Sequence, residues 1–137
     1  MSAAMARRAR AEERRNSRFR WLRNLPRPRA LRVLSRCRLM VISSRLEGGA
    51  NAVSEALALG VPVLASRVAG NVGLLGPWYP GYFRARSTDG LARLLRQAES
   101  DPLFLRKLER GCRRRARLLN PRRERAAWRR LLLGIAR

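Results

Sequence analysis

The chain has 137 residues, of which 46% are hydrophobic, and it carries 32 Lys+Arg against 9 Asp+Glu, for a formal net charge of +23. This length fits one compact domain with its own core and is too short for two independent ones. The hydrophobic content argues against a disordered chain. Because histidine is absent, a Ser-His-Asp triad and a histidine-ligated zinc site are excluded, and we expect no metal site.

The positive charge predicts attraction to phosphates, nucleic acid or anionic lipid. Lys107 is the single lysine, so arginine supplies nearly all of the charge. Two interpretations stay open at this point. One is a basic nucleic-acid-binding protein, whose contacts would come from the arginine clusters at 7–15 and 113–117. The other is a general enrichment of arginine at solvent-facing positions, without a specific ligand.

The two cysteines and the lack of a long apolar segment bear on the compartment. Cys37 and Cys112 stand far apart in the sequence, which favours two reduced core thiols over a disulfide. No apolar run reaches the ~20 residues of a membrane span, and the basic N-terminal segment lacks the apolar core of a secretory signal. We therefore expect a soluble, cytoplasmic protein.

The first third of the chain predicts two helices and two strands. Residues 3–15 are rich in Ala, Arg and Glu and predict an exposed basic helix. The short aromatic and apolar run at 19–22 predicts a strand, and Pro28 can open a helix that runs to about Cys37. The uninterrupted apolar run at 39–43 predicts a strand buried on both faces.

The middle of the chain predicts a strand, helix, strand unit. A helix is expected at about 50–59, where Gly60 ends it, and a second apolar strand follows at 61–66. Parallel strands joined in this way cross over right-handedly and leave a ligand crevice at their carboxyl ends. The fold class predicted is α/β, with a parallel sheet, flanking helices and a helical C-terminal end.

The rest of the chain predicts an irregular segment and three helices. Residues 67–86 are rich in Gly and Pro and predict a short helical turn and a strand at 82–84. Helices are then expected after Ser87 or Thr88, after Asp101-Pro102 and after Asn120-Pro121. The last two carry apolar stripes, formed by Leu105, Leu108, Cys112, Ala116 and Leu119 and by Trp128, Leu131, Leu132 and Ile135.

The segment Glu47-Gly48-Gly49-Ala50-Asn51, with Glu55 eight residues after Glu47, is the strongest chemical signal. Two glycines before a helix allow close approach of a ligand, and free amides at a helix start suit a diphosphate. Carboxylates accept hydrogen bonds from sugar hydroxyls. A purely structural explanation is also open, in which the glycines form a turn and Glu55 pairs with an arginine.

The run EGGANAVSEALALGVPVLAS resembles the E-x7-E motif of family 4 of the retaining GT-B glycosyltransferases. The resemblance implies that Glu47 contacts the donor sugar, as the catalytic candidate, and that Glu55 contacts the nucleotide ribose. It places the backbone of Gly48, Gly49, Ala50 and Asn51 at the phosphate and the sugar. We expect the donor substrate to be a UDP-sugar. It should lie between the Glu47 loop and residues 70–73 and contact Gly70 and Asn71.

The similarity extends from about Asn16 to the end of the chain and includes the selenosugar synthases of that family, which implies a selenium nucleophile as acceptor. The domains expected are a basic helix at 1–15 and a Rossmann-like nucleotide-sugar-binding domain at 16–137. Family members also have an N-terminal acceptor-binding domain, for which this chain has no room. We therefore expect a truncated transferase, or one whose acceptor domain lies on another chain, with no cofactor besides the donor substrate.

Overall fold

The computed structural model describes residues 3–46 and 51–119. It divides into two compact units, Met1–Ala30 and Leu31–Arg137. The described elements, in chain order, are α1 (Ala3–Arg15), α2 (Arg27–Leu34), β1 (Met40–Ile42), α3 (Asn51–Ala58), β2 (Val63–Ser66), α4 (Ala69–Leu75), β3 (Tyr82–Phe83), α5 (Thr88–Ser100) and α6 (Pro102–Ala116). The predicted third C-terminal helix and its stripe of Trp128, Leu131, Leu132 and Ile135 lie outside the described residues.

The first unit confirms the basic helix and corrects the strand predicted at 19–22. Helix α1 buries none of its residues. The segment after it forms no strand. Instead, the backbone amide of Trp21 donates to Glu13 Oε1 at 3.1 Å, and the guanidinium carbons of Arg10 and Arg23 each lie 5.7 Å from the centroid of the Trp21 ring. A short apolar run has no strand to pair with here, so its side chains pack locally.

The second unit contains a three-stranded parallel sheet in the order β1-β2-β3, which confirms the predicted α/β class. Met40 pairs with Val63 and Ala65 with Tyr82. Helices α3 and α4 make the two crossovers, as parallel strands require. The sheet with its helices corresponds to part of a Rossmann-like domain.

Burial differs sharply between the first two strands. All four residues of β2 are buried, because it lies in the centre of the sheet. Val41 of β1 is 41% exposed, so the prediction of burial on both faces is wrong for that strand. Among the described residues β1 pairs with β2 alone, so it is an edge strand and its middle residue is exposed.

Helix ends follow the predicted signals. Gly60, at φ 72°, ends α3, and the Val61 amide donates to the Ala56 carbonyl at 2.9 Å. The Ser87 hydroxyl accepts from the Gly90 amide at 3.0 Å, so Ser87 caps α5. Asp101 caps α6 by accepting from the amides of Leu103 and Phe104 at 2.8 and 3.1 Å, directly before Pro102.

The core lies between β2 and the helices. Leu108 and Cys112 of the predicted α6 stripe are buried, while Leu105, Ala116 and Leu119 are partly buried against them. Both cysteines are free thiols, as expected, but Cys37 is exposed, so its prediction as a core residue is wrong. Of the helices that the structure describes, none is long and apolar enough to cross a membrane.

Tyr79 organises the segment that the sequence predicted to be mainly irregular. Its hydroxyl donates to the Val63 carbonyl at 2.6 Å, accepts from the Val63 amide at 3.2 Å and lies 3.3 Å from Cys112 Sγ. Gly81 is needed beside it, because a Cβ there would lie 2.6 Å from both the Tyr79 ring and the Val63 carbonyl. The segment therefore packs tightly despite its short helix, α4, of seven residues.

Candidate functional site

The carboxyl ends of β1 and β2 lie side by side and are joined by a hydrogen bond. Ser44 follows β1, and Ser66 is the last residue of β2 and is 0% exposed. Ser66 Oγ donates to the Ser44 carbonyl oxygen at 2.6 Å. This bond fixes the start of the loop that leads to Glu47. It forms at the edge of the sheet where open α/β proteins bind their ligands.

Asn71 secures the same edge from α4. Its side chain is fully buried, and its Nδ2 donates to the Ser66 carbonyl oxygen at 2.9 Å and contacts Ser66 Oγ at 3.3 Å. Asn71 Oδ1 is the buried side-chain oxygen that lacks a hydrogen-bond partner in the described part of the chain. A buried acceptor without a donor costs roughly 1–3 kcal/mol of stability, and Asn71 Oδ1 bears this cost beside the ligand crevice.

The other predicted site residues lie in α4, in α3 and outside the described residues. Gly70 is buried beside Asn71 in α4. Asn51 is the exposed first residue of α3, and Glu55 is half-buried one turn further along that helix, whose core face is formed by Val53, Ala56 and Leu57. Glu47, Gly48, Gly49 and Ala50 lie outside the described residues. The structure thus joins the two strand ends through Ser66 and ties Asn71 to them, and the roles given to the glutamates stay predictions.

Tyr82 holds the far end of α4. Its hydroxyl donates to the carbonyl oxygens of Gly76, at 2.9 Å, and of Asn71, at 3.2 Å. Burial raises the pKa of Tyr82 to about 12, although the positive charges of Arg67 and Arg115 act in the opposite direction. The Arg67 guanidinium carbon lies 5.3 Å from the centroid of the Tyr82 ring. These contacts set the position of α4, and with it that of Asn71.

A cavity that was not predicted from the sequence lies at the carboxyl ends of β1 and β3. It has a volume of about 460 Å³ and is lined by Ser43, Arg45, Phe83, Arg86, Ser87, Thr88 and Leu91. Arg45 and Arg86 bring two positive charges to this edge of the sheet. The signal in the sequence was that each arginine follows a strand, but nothing local indicated that the two loops meet.

Comparison with known proteins identifies the chain's family. The model of the family described as "Glycosyl transferases group 1" matches residues 5–118, which is most of the chain. No curated protein matches it. The matched family consists of enzymes that transfer a sugar from a nucleotide-sugar donor to an acceptor, and the three-stranded parallel sheet agrees with the donor-binding fold of such enzymes. The chain belongs to the group 1 glycosyltransferases.

Proposed function

We propose that the Leu31–Arg137 unit binds a nucleotide-diphosphate sugar at the carboxyl ends of β1 and β2, between residues 47–50 and residues 70–73. The observation that carries this proposal is the bond from Ser66 Oγ to the Ser44 carbonyl, with Asn71 buried against Ser66. Together these contacts give the two strand ends a fixed geometry, and a preorganised edge is what recognition of a diphosphate requires.

The residue roles within this site follow the E-x7-E pattern of family 4. Glu47 would face the donor sugar, and Glu55 would accept hydrogen bonds from the ribose hydroxyls. The backbone amides of Gly48, Gly49, Ala50 and Asn51 would hold the diphosphate and the sugar at the start of α3. The half-buried position of Glu55 on α3 supports its role, because a carboxylate there is partly desolvated and binds hydroxyls more strongly.

Transfer by this site would rest on leaving-group stabilisation. As the bond between the anomeric carbon and the diphosphate oxygen breaks, negative charge grows on the diphosphate, and amides and arginines can stabilise it. Arg45, in the loop after β1, is a candidate for that contribution. We propose hexosyl transfer with retention of the anomeric configuration and UDP as the leaving nucleotide. No cofactor or metal ion is part of this proposal.

The acceptor and its binding domain complete the proposal. Residues 16–137 would act as the donor-binding domain, and a second Rossmann-like domain, on the same or another chain, would bind the acceptor. The resemblance to selenosugar synthases favours a selenium nucleophile, whose lone pair would form the new bond to the anomeric carbon as the diphosphate leaves. The free thiols of Cys37 and Cys112 are compatible with a reducing compartment such as the cytoplasm.

Isothermal titration calorimetry with UDP and UDP-hexoses tests the donor site. We expect Glu55→Ala to weaken UDP binding at least tenfold, because the ribose loses a charged acceptor whose hydrogen bonds are worth roughly 1.5–3 kcal/mol. The matched control is Glu99→Ala, which removes an exposed carboxylate from α5. Equal affinities for the two variants would contradict the assigned site.

A further inference from the structure

A row of positive charges runs along one face of α6. Five basic residues recur at intervals of one or three positions and lie away from the buried Leu108 and Cys112, and they are Lys107, Arg110, Arg113, Arg114 and Arg117. From Lys107 to Arg114 the helix rises about 10 Å, at roughly 1.5 Å per residue, and Arg117 follows as the residue that caps α6. The row therefore extends over a length that suits several phosphates of one strand rather than a single anion.

These five residues form one wall of a groove whose other wall is aromatic. The groove has a volume of about 650 Å³, and Trp78 and Pro80, in the loop between α4 and β3, complete its lining. Trp78 is 93% exposed. The exposed indole offers a flat apolar face that a ligand can cover.

Contacts with α6 hold both α4 and Tyr79, which lie on either side of Trp78 in the sequence. Arg115 donates through Nε to the Leu74 carbonyl and through Nη2 to the Gly73 carbonyl, both at 2.6 Å. The adjacent Tyr79 ring packs on Gly111, where a Cβ would lie 2.9 Å from it. The backbone on both sides of Trp78 is therefore held close to α6, so binding to the indole and the arginine row would need little reordering of the backbone.

The groove lining is unbalanced in charge. None of the described residues that line it is acidic. The one ion pair that the described residues form beside it joins Arg113 to Glu109 at 3.3 Å, and it offsets only one of the five positive charges. An occupant must therefore carry several negative charges along its length and must also offer a flat face to Trp78.

We propose that this groove binds single-stranded nucleic acid, with phosphates along the α6 row and one base stacked on Trp78. Unpaired bases alternate with phosphates in such a strand, which matches the two walls of the groove. A duplex hides its base faces, and a bilayer would meet a flat apolar surface better than a concave cationic one. The groove shares no residue with the donor site, so this activity is additional to the proposed transferase function.

Fluorescence anisotropy of a labelled short oligothymidylate on the whole chain tests the proposal. We expect Trp78→Ala to weaken binding about tenfold, the usual effect of removing one stacked base. Arg110→Ala with Arg114→Ala should make the slope of log K against log salt less steep by about 1.4, at roughly 0.7 for each phosphate contact. Arg93→Ala with Arg96→Ala removes two exposed arginines from α5 and should have a smaller effect on affinity.

Three results would overturn the proposal. The first is equal binding of duplex and single strand, and the second is equal binding by Trp78→Ala and the wild type, because charge alone would then explain the affinity. The third is a preference for phosphatidylserine vesicles over oligothymidylate that Trp78→Ala abolishes, because the groove would then be a membrane contact. We expect that UDP-hexose does not displace the oligothymidylate. This outcome keeps the test of the groove separate from the test of the donor site.

Discussion

Asn71 Nδ2 lies 2.9 Å from the backbone carbonyl oxygen of Ser66, and this hydrogen bond ties α4 to the end of the central strand. Ser66 in turn donates to the Ser44 carbonyl, so the end of β2, the start of α4 and the segment after β1 meet at one buried amide and one buried hydroxyl. The geometry of the sheet edge therefore depends on Asn71 more than on any surface residue that we describe.

Replacing Asn71 should destabilise the fold. Asn71→Ala removes two polar contacts and leaves a cavity in a fully buried position, and we expect it to lower the free energy of unfolding by about 2–3 kcal/mol. The control is Gln97→Ala, which truncates an exposed amide on α5. Urea denaturation should separate the two variants, whereas equal midpoints would show that the Asn71–Ser66 contact contributes nothing measurable.

Gly81 should not tolerate a side chain. Its substitution by alanine would force a Cβ to within 2.6 Å of the Val63 carbonyl and of the buried Tyr79 ring, and we expect a loss of about 1–3 kcal/mol. Gly73→Ala is the matched change, because it lies in α4 with no atom within 4 Å of the added Cβ. That variant should be neutral or more stable by about 0.5–1 kcal/mol. Thermal denaturation that ranks them in the reverse order would refute the packing described for Tyr79.

Stability should fall in alkaline solution. Tyr82 keeps its proton in the folded state up to a pKa of about 12, whereas in the unfolded chain it loses the proton near the ordinary tyrosine pKa of 10.0. Between these two values the unfolded state binds fewer protons than the folded state, so the free energy of unfolding decreases as the pH rises. Below pH 10 this contribution is fully present.

The comparison that isolates Tyr82 is with Tyr82→Phe. Burial also raises the pKa of Tyr79 and of Cys112, so part of the alkaline loss will remain in that variant. We expect its urea midpoint to decline less steeply between pH 10 and pH 12 than that of the wild type. Parallel curves for the two proteins would mean that Tyr82 does not contribute to the pH dependence.

Local signals predicted much of the fold. Asp101-Pro102, Ser87 and Gly60 marked helix ends correctly, because caps and left-handed C-terminal residues act within a few positions. The strand predicted at 19–22 was wrong because a short apolar run does not reveal whether a partner strand exists. Val41 was predicted as buried because an edge strand and a central strand share the same apolar composition.

The site was predictable only in part, since its decisive contacts are not local. The sequence predicted that Asn71 contacts the nucleotide-sugar donor. Its side chain is buried and bonded to Ser66, a partner that no pattern in the sequence indicated. The bond between Tyr79 and Val63 joins segments sixteen residues apart, and the groove brings Trp78 and the arginines of α6 to one cavity from segments about thirty residues apart. Such contacts follow from the order of the strands and from crossover packing rather than from spacing.

The central claim, a donor site at the carboxyl ends of β1 and β2, is tested most directly by NMR. In a titration of the isotope-labelled chain with UDP-hexose, we predict that the amide signals of Ser44, Ser66 and Asn71 shift together in a saturable manner. The indole signal of Trp78, at the other groove, should stay unchanged. Shifts that are confined to Trp78 and the arginines of α6, with none at Ser44, Ser66 or Asn71, would contradict the account.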